Sequence, residues 1–335
     1  KRSKQRPMDR FTVQSSEQTN LIYKITKNIP YSEPFRTHKI FNLADDFYTN
    51  LITWSKENIA YGVNNKLFIF NYHTCKNELI YEYTNKSITS VYYNSDGTKL
   101  SVGCTQGKVD VLDLNSMKNK TYKVHRSRIG VIEWYNDLFY TGSRDKTIKM
   151  VDERAGNTKT TVSFHLQEVC GLKLNCTKEM LASGGNDNNI FIYDSRMLNE
   201  CIYSIKSHKA AIKALSWSKR NPNLLVSGGG TADKSIKLWC LKNKPKLLKN
   251  IDSNSQVCNL YWTETNKVIS THGYSQNDSR IYSSNLCMKD VNRGHRNRII
   301  HFAVNDTEEY YLTGSADCLI NIWKVPESID THRFR

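Results

Sequence analysis

Seven glycines recur along this 335-residue chain at nearly equal intervals, and this repeat constrains the fold more than any other feature. Successive glycines are 41, 39, 42, 44, 45 and 41 residues apart. A unit of that length cannot bury its apolar face alone, so neighbouring units must stack. The chain is therefore predicted to fold as an array of similar units. Their glycines are Gly62, Gly103, Gly142, Gly184, Gly228, Gly273 and Gly314.

Each unit is predicted to contain β-strands joined by a tight turn. In the clearest copies, a step of small residues and a polar turn precede alternating apolar residues, such as Ile236 and Leu238. Alternation with a period of two is typical of half-buried strands. A repeat of ~40–45 residues with this content is that of the WD-repeat propeller, so the predicted fold is an all-β, seven-bladed WD40 β-propeller. The clearest copies span residues 140–152, 181–194, 226–239 and 312–323.

A histidine precedes four of the repeats, at positions 125, 165, 208 and 295. This pattern resembles the histidine, serine or threonine, aspartate and tryptophan network of WD blades, which pairs the polar groups of a buried turn. A single His, Ser and Asp set would suggest a hydrolase triad, but recurrence favours a structural function. In the fourth repeat we assign this structural network to His165, Ser183, Asp187 and Tyr193.

Composition argues against several classes of function. No apolar run approaches the ~18 residues of a membrane span, and no apolar stretch follows the basic start as in a signal peptide. The nine cysteines are scattered without a Cys-x-x-Cys pair and are interpreted as small core residues in a reducing compartment. The sequence has no glycine-rich phosphate loop, metal-ligand spacing or isolated activated nucleophile. We predict a protein that is not an enzyme, needs no cofactor or metal and contacts no membrane.

The formal net charge of +16 raises the question of nucleic-acid binding, because cationic surfaces gain from counterion release near phosphate. Residues 1–39 carry nine Lys or Arg and three acidic residues, so a large share of the excess lies outside the repeats. The remainder is scattered, and nucleic acid is therefore not favoured as a partner. The cluster of Lys1, Arg2, Lys4 and Arg6 is interpreted as an import signal or a contact for an acidic partner.

Six loop segments carry a more specific signal, because ordinary WD repeats vary freely at these turn positions. The segments are DDFYTNLITWSKEN (45–58), QEVCGL (167–172), GGNDN (184–188), GGGTAD (228–233), SQVCNLYW (255–262) and STHGYSQN (270–277). From about Thr37 to Trp323 the chain thereby resembles the Fizzy family, the substrate-recruiting coactivators of the anaphase-promoting ubiquitin ligase. The fourth and sixth segments are more similar to the Fizzy-related branch.

The resemblance implies a non-enzymatic adaptor in cell-cycle control that brings substrates close to the ligase. The implied partners are subunits of the anaphase-promoting complex, degron-bearing substrates such as cyclins and securin-like proteins, and checkpoint or inhibitor proteins. The implied location is the nucleus and the cytoplasm. The alternative is a general WD40 scaffold or chromatin-associated propeller that uses its basic surface.

The resemblance also divides the chain into three parts. Residues 1–36 are expected to form a basic, mostly extended segment with a degenerate ligase-docking box, in which Thr12 and Val13 replace the usual Ile-Pro. Residues 37–326 are expected to form the propeller, and residues 327–335 a tail that resembles a ligase-docking Ile-Arg end. The ligase-docking residues are then Asp9, Arg10, Phe11, Phe334 and Arg335.

Ring closure is expected to involve the beginning of the propeller segment. The stretch from His38 to Tyr48 looks like the family strand that completes the last blade from the other end of the chain. Such closure removes an exposed sheet edge, which explains why a strand belongs before the first repeat.

Two degron sites are implied on the propeller. In an up-and-down blade, the turn between the second and third strands emerges at the same end as the loop into the next blade, so residues from both should meet on one rim. Amide, hydroxyl and guanidinium groups suit a Lys-Glu-Asn (KEN) degron, although turn chemistry alone also accounts for asparagines there. The implied KEN-binding residues are Asn186, Asn188, Thr231 and Arg298.

The second degron is the destruction box, Arg-x-x-Leu, which the family binds at the seam between the first and last blades. Asp46 matches one of the acidic residues that bind its arginine. Cys318 stands at the position of the other acid, and Thr53 replaces an aspartate often found before Trp54. We therefore expect altered affinity or selectivity for destruction boxes.

Overall fold

The computed structural model describes residues 33–326 of the chain. Every named element in this range is a β-strand, and 28 strands form seven antiparallel sheets of four strands each. The innermost strand of the first blade contacts those of the second and the last blades, so the blades form a ring and the predicted seven-bladed propeller is confirmed. Across the described range, no helix is long and apolar enough to cross a membrane, and no cluster of three or more potential metal ligands occurs.

Each of the first six blades is built from four consecutive strands. The first blade contains β2 (Ile52–Ser55), β3 (Asn58–Val63), β4 (Lys66–Asn71) and β5 (Lys76–Glu82). The second contains β6 (Ile88–Tyr93), β7 (Lys99–Cys104), β8 (Lys108–Asp113) and β9 (Asn119–Lys123). The third contains β10 (Ile129–Tyr135), β11 (Leu138–Ser143), β12 (Ile148–Asp152) and β13 (Asn157–Val162).

The remaining blades follow the same order. The fourth contains β14 (Val169–Leu174), β15 (Met180–Gly185), β16 (Ile190–Asp194) and β17 (Met197–Ile205). The fifth contains β18 (Ala214–Trp217), β19 (Leu224–Gly228), β20 (Ser235–Cys240) and β21 (Lys246–Asp252). The sixth contains β22 (Val257–Trp262), β23 (Lys267–His272), β24 (Asp278–Ser283) and β25 (Met288–Arg293). The seventh contains β26 (Ile299–Val304), β27 (Tyr310–Ser315), β28 (Leu319–Lys324) and β1 (Arg36–Lys39).

The seventh blade joins strands from the two ends of the described chain. Strand β1 pairs antiparallel with β28, with Arg36 opposite Ile322 and His38 opposite Ile320. The strand is shorter than the sequence suggested, because residues 40–48 continue as a loop instead of extending the ladder. The pairing covers the outer edge of β28, as expected for a closed ring.

The recurring glycines lie where successive blades touch. A Cβ atom added to Gly142 in β11 would lie 2.7 Å from the Val169 side chain, and one added to Gly228 in β19 would lie 2.3 Å from the Val257 side chain. Both valines begin the innermost strand of the following blade. The glycine of the repeat is therefore required by close packing between blades.

The apolar core is divided among the interfaces between blades. One cluster combines Val226 and Leu238 of the fifth blade with Val257 and Trp262 of the sixth. A second combines Leu51 and Ile52 with Leu312 and Ile320, so the same kind of packing joins the first blade to the last. Burial of this kind holds the ring together without a single central core.

The structure shows the polar network in four blades. In the fourth blade, His165 contacts Asp187 through Nδ1 at 3.0 Å and Ser183 through Nε2 at 2.7 Å. The ring of Tyr193 is fully buried, but its hydroxyl has no hydrogen-bond partner among residues 33–326. The corresponding triads in the other blades are His125, Thr141 and Asp145; His208, Ser227 and Asp233; and His295, Thr313 and Asp317.

Candidate functional site

One end of the ring carries the loops that lead into the first strand of each blade and the turns between the second and third strands. We call this end the upper face. The two kinds of connection meet within each blade: Asn186 N donates to Glu168 O at 2.8 Å in the fourth, and Arg144 N donates to Arg128 O at 3.0 Å in the third. All four predicted KEN-binding residues lie in such connections on the upper face.

Residues 44–50, which we call the crossing segment, lie across the opening of the ring at this face. His301 Nε2 of the seventh blade contacts Ala44 O at 2.8 Å, and Asn50 Nδ2 donates to Gly130 O of the third blade at 2.7 Å. Lys213 of the fifth blade donates to Thr49 O at 2.8 Å. The segment therefore connects blades that are not neighbours.

Asn186 is held in place by contacts on both sides of its amide. Its Oδ1 accepts a hydrogen bond from the Tyr48 hydroxyl at 2.7 Å, and its Nδ2 donates to Gln167 Oε1 at 2.6 Å. Asn188 follows in the same turn with a left-handed backbone, φ 64°, a conformation that asparagine tolerates well. The structure therefore gives Asn186 a tertiary partner, whereas the backbone of the turn by itself favours asparagine at position 188.

Arg298 is oriented by the crossing segment. Its Nε and Nη2 donate to Asp45 Oδ1 at 2.6 Å and to Asp45 O at 2.8 Å. Its guanidinium carbon also lies 5.3 Å from the centre of the Tyr274 ring. Thr231 lies in the turn between β19 and β20, where its side chain is exposed. Asn186 and Arg298 are thus linked through the crossing segment, although they lie in different blades.

Asp46 belongs to an ionic cluster with the third and fourth blades. Its Oδ2 accepts from Arg128 Nη1 at 2.7 Å and its Oδ1 accepts from Tyr48 N at 2.9 Å. Arg128 also donates to both oxygens of Glu168, at 2.6 and 2.8 Å, and this pairing raises its pKa against the effect of burial. The structure therefore places Asp46 beside the residues predicted for the KEN degron.

The other destruction-box positions have separate surroundings. Cys318 lies in the turn between β27 and β28, where its carbonyl accepts from Ile40 N at 2.9 Å. Thr53 is buried in β2, and its hydroxyl accepts from Tyr93 N at 3.4 Å. The assignment of Asp46 to the destruction box remains a prediction. The predicted docking residues at positions 9–11 and 334–335 lie outside the described residues.

Lys213 is a residue of the upper face that sequence reasoning missed. The side chain is buried, and its ammonium donates to Thr49 O at 2.8 Å and Ile300 O at 3.1 Å, with the Phe47 ring centre 5.8 Å away. Burial lowers its pKa to about 8. The sequence did carry one signal, because this lysine stands among the apolar residues of a predicted inner strand. A lysine at such a position is buried only where polar groups pair with its ammonium.

These observations define a seven-bladed WD40 propeller whose upper face carries a cluster of polar and charged side chains. The sequence profile of the CDC20/Fizzy WD40 domain matches residues 40–323, and the chain belongs to this family. The family predicted from the loop segments is therefore confirmed.

The chain is similar to several characterised members. It is 36% identical to Protein FIZZY-RELATED 2 of Arabidopsis thaliana over 317 residues, covering 92% of this chain and 65% of that protein. It is 35% identical over 307 residues to WD repeat-containing protein srw1 of Schizosaccharomyces pombe, covering 90% and 55%. It is 33% identical over 303 residues to APC/C activator protein CDH1 of Saccharomyces cerevisiae, covering 87% and 52%. The chain thus spans about half to two thirds of these relatives.

A solved structure also matches. A chain in the crystal structure of the Mitotic Checkpoint Complex superimposes with a TM-score of 0.84 at 31% identity, over 88% of this chain and 96% of that chain.

Proposed function

We propose that the protein is a substrate-recognition coactivator of the anaphase-promoting complex that binds KEN-box and destruction-box degrons on its propeller. The observation that carries this proposal is the crossing segment, which links Asn186 and Arg298 on one face through Tyr48 and Asp45. Similarity to an APC/C activator protein supports the coactivator assignment. The protein would act by raising the effective concentration of substrate near the ligase, without bond chemistry of its own.

The free polar groups of the upper face match a KEN peptide. Nη1 of Arg298 has no partner in the part of the chain that the structure describes, so it can bind the degron glutamate without loss of Asp45. The side chains of Asn188 and Thr231 also lack hydrogen-bond partners there and offer donors and acceptors for the degron asparagine. The same carboxamide and hydroxyl oxygens also suit the ammonium of the degron lysine.

Family membership supports the remaining parts of the proposal. Asp46 would contribute to destruction-box binding, and the two tails would dock on the ligase through residues 9–11 and 334–335. Partners would be ligase subunits, substrates such as cyclins and securin-like proteins, and checkpoint or inhibitor proteins. The protein would act in the nucleus and the cytoplasm.

Degron binding is tested with a fluorescent KEN peptide and the full chain. We expect the double variant Asn186→Ala, Asn188→Ala to weaken binding by at least about tenfold, because each amide contributes hydrogen bonds at a partly desolvated site. Fluorescence polarisation measures the dissociation constant, and a peptide with all three KEN residues replaced by alanine defines the background.

The matched control is the double variant Asn115→Ala, Asn243→Ala, which removes two exposed amides elsewhere on the ring. Its affinity for the peptide should equal that of the unaltered protein. Equal affinity for the Asn186, Asn188 variant would refute the assignment. Salt-sensitive retention on DNA without peptide binding would instead favour the scaffold alternative, which the net charge of +16 supports.

A further inference from the structure

Outer residues of the first and second blades form one continuous surface on the side of the ring, which we call the side surface. The ring centres of Tyr81 and Tyr83 lie 4.6 Å apart, and Lys86 Nζ lies 4.3 Å from the centre of the Tyr83 ring. Lys86 also pairs with Asp110 of β8, whose other oxygen accepts from the Thr121 hydroxyl of β9. These contacts lead without a gap from the outer edge of the first blade to that of the second.

Two further lysines lie on this surface. Lys108, Asp110 and Leu112 alternate along β8, and Leu112 belongs to the apolar cluster that the second blade shares with the first. Lys123 stands directly opposite Lys108 in the ladder between β8 and β9. Side chains directly opposite each other in an antiparallel pair lie on one face, with Cβ atoms ~4.5–5.5 Å apart. Both lysines therefore face the first blade, beside Asp110.

No carboxylate neutralises this lysine pair. Neither ammonium of Lys108 and Lys123 has a carboxylate oxygen within 4.0 Å in the part of the chain that the structure describes. The Asp110 side chain is fully buried and pairs with Lys86, and Asp113, the other carboxylate of β8, lies on the opposite face of the strand. Like charges directly opposite each other destabilise a sheet. An anionic ligand would relieve this repulsion.

The neighbouring acidic residues are engaged elsewhere. The two glutamates near the outer edge of the first blade pair with lysines of their own blade, Glu78 with Lys76 at 2.5 Å and Glu82 with Lys66 at 3.5 Å. Asp145, in the adjoining turn of the third blade, belongs to the polar network of that blade. The loops and turns at the upper end of the side surface contain no Asp or Glu. They are residues 64–65, 83–87, 105–107 and 124–128.

We propose that the side surface binds an extended, acidic segment of a partner protein. Two carboxylates of the segment would pair with Lys108 and Lys123. Strand β9 is the last strand of its sheet, so its outer edge would accept the segment as an additional strand. Tyr81, which is 38% exposed, offers its ring to an apolar side chain of the segment.

Charge complementarity selects this occupant over the protein's own amino-terminal segment. Residues 1–32 carry seven Lys or Arg and only two acidic residues, so they would add to the repulsion at the lysine pair. Binding at the side surface is also independent of the predicted KEN residues, which lie in the fourth, fifth and seventh blades. The two sites could therefore be occupied together.

Fluorescence polarisation with the full chain tests the site. The probe is the labelled peptide Gly-Thr-Val-Thr-Glu-Thr-Glu-Gly, which in an extended conformation places its valine and both glutamates on one side. We expect binding that weakens with added salt and falls by at least about tenfold in the Lys108→Gln, Lys123→Gln variant. The matched control, Lys242→Gln, Lys244→Gln, removes two exposed lysines of the fifth blade and should keep the affinity.

A charge reversal distinguishes a binding role from a structural one. Lys123→Glu should abolish peptide binding while the midpoint of urea unfolding stays equal or rises, because the change turns a like-charge pair into an opposite-charge pair. A lower midpoint with unaltered peptide affinity would assign the lysines to the fold and overturn the proposal.

Three further results would also overturn it: no binding of the peptide, equal binding of a counterpart with glutamine at both glutamate positions, or equal weakening in both double variants. The Asn186→Ala, Asn188→Ala variant should bind the acidic peptide as the unaltered protein does. Loss of binding in that variant would place the peptide on the upper face instead and would contradict the assignment to the side surface.

Discussion

At the residue scale, Lys213 ties the fifth blade to the crossing segment on the upper face. Its ammonium donates to a carbonyl of the crossing segment and to one of the seventh blade, although Lys213 belongs to the fifth. Burial that lowers its pKa to about 8 makes the charged form costly in the folded protein. The stability of the upper face should therefore depend on the protonation of this residue.

The pH dependence has a definite sign. An unfolded lysine has a pKa of ~10.4, so between pH about 8 and about 10 the unfolded chain binds more protons than the folded one, and stability from this group rises with pH. From pH 7 to 9, we expect the free energy of unfolding to rise by about 1 kcal/mol more in the unaltered protein than in Lys213→Met. Urea unfolding at both pH values measures it. Lys246→Met, an exposed control, should follow the unaltered protein; identical pH dependence in Lys213→Met would contradict the prediction.

At the scale of the element, each polar network ties a turn to the loop before its blade. In the fourth blade, Asp187 accepts from the backbone N of Leu166 at 2.7 Å and from Asn189 N at 3.2 Å, in addition to its contact with His165. This turn also carries Asn186 and Asn188. Its structural residues and its predicted ligand-binding residues thus alternate along the chain.

Removal of this carboxylate should destabilise the blade. We expect Asp187→Ala to lower the free energy of unfolding by about 2–3 kcal/mol, because it leaves His165 and the backbone N of Leu166 without their acceptor. Chemical denaturation measures the change. Glu200→Ala removes an exposed carboxylate for comparison and should have little effect. Equal stability of the two variants would show that the network contributes no more than a surface charge.

At the scale of the whole molecule, closure depends on a strand of four residues. Strand β1 pairs with β28, and the Thr37 hydroxyl also donates to Asn321 Oδ1 at 2.8 Å. Without β1, the edge of β28 would be free to pair with another chain. The ring is therefore vulnerable at its seventh blade.

Two truncations compare the effect of this strand. Removal of residues 1–39 should lower the midpoint of thermal unfolding by at least about 5 °C relative to removal of residues 1–32, and should cause concentration-dependent association. Calorimetry and size-exclusion chromatography measure the two effects. Equal midpoints and a monomeric state for both truncations would show that β1 is dispensable for closure.

The sequence predicted features that repeat or that lie close together along the chain. The spacing of seven glycines determined the number of blades, and alternating apolar residues determined the strands. The loop segments identified the family. Asn186, Asn188, Thr231 and Arg298 could be assigned to one face because the turn between the second and third strands and the loop before the first strand emerge at the same end of a blade.

The tertiary structure alone decided how that face is organised. Asp46 meets Arg128 across 82 residues, and Arg298 meets Asp45 across 253. A periodic pattern reports the local surroundings of a strand, but it contains no information on which loops meet after the ring closes. The contacts of the crossing segment and the buried position of Lys213 follow from closure, because closure brings distant residues to a common axis.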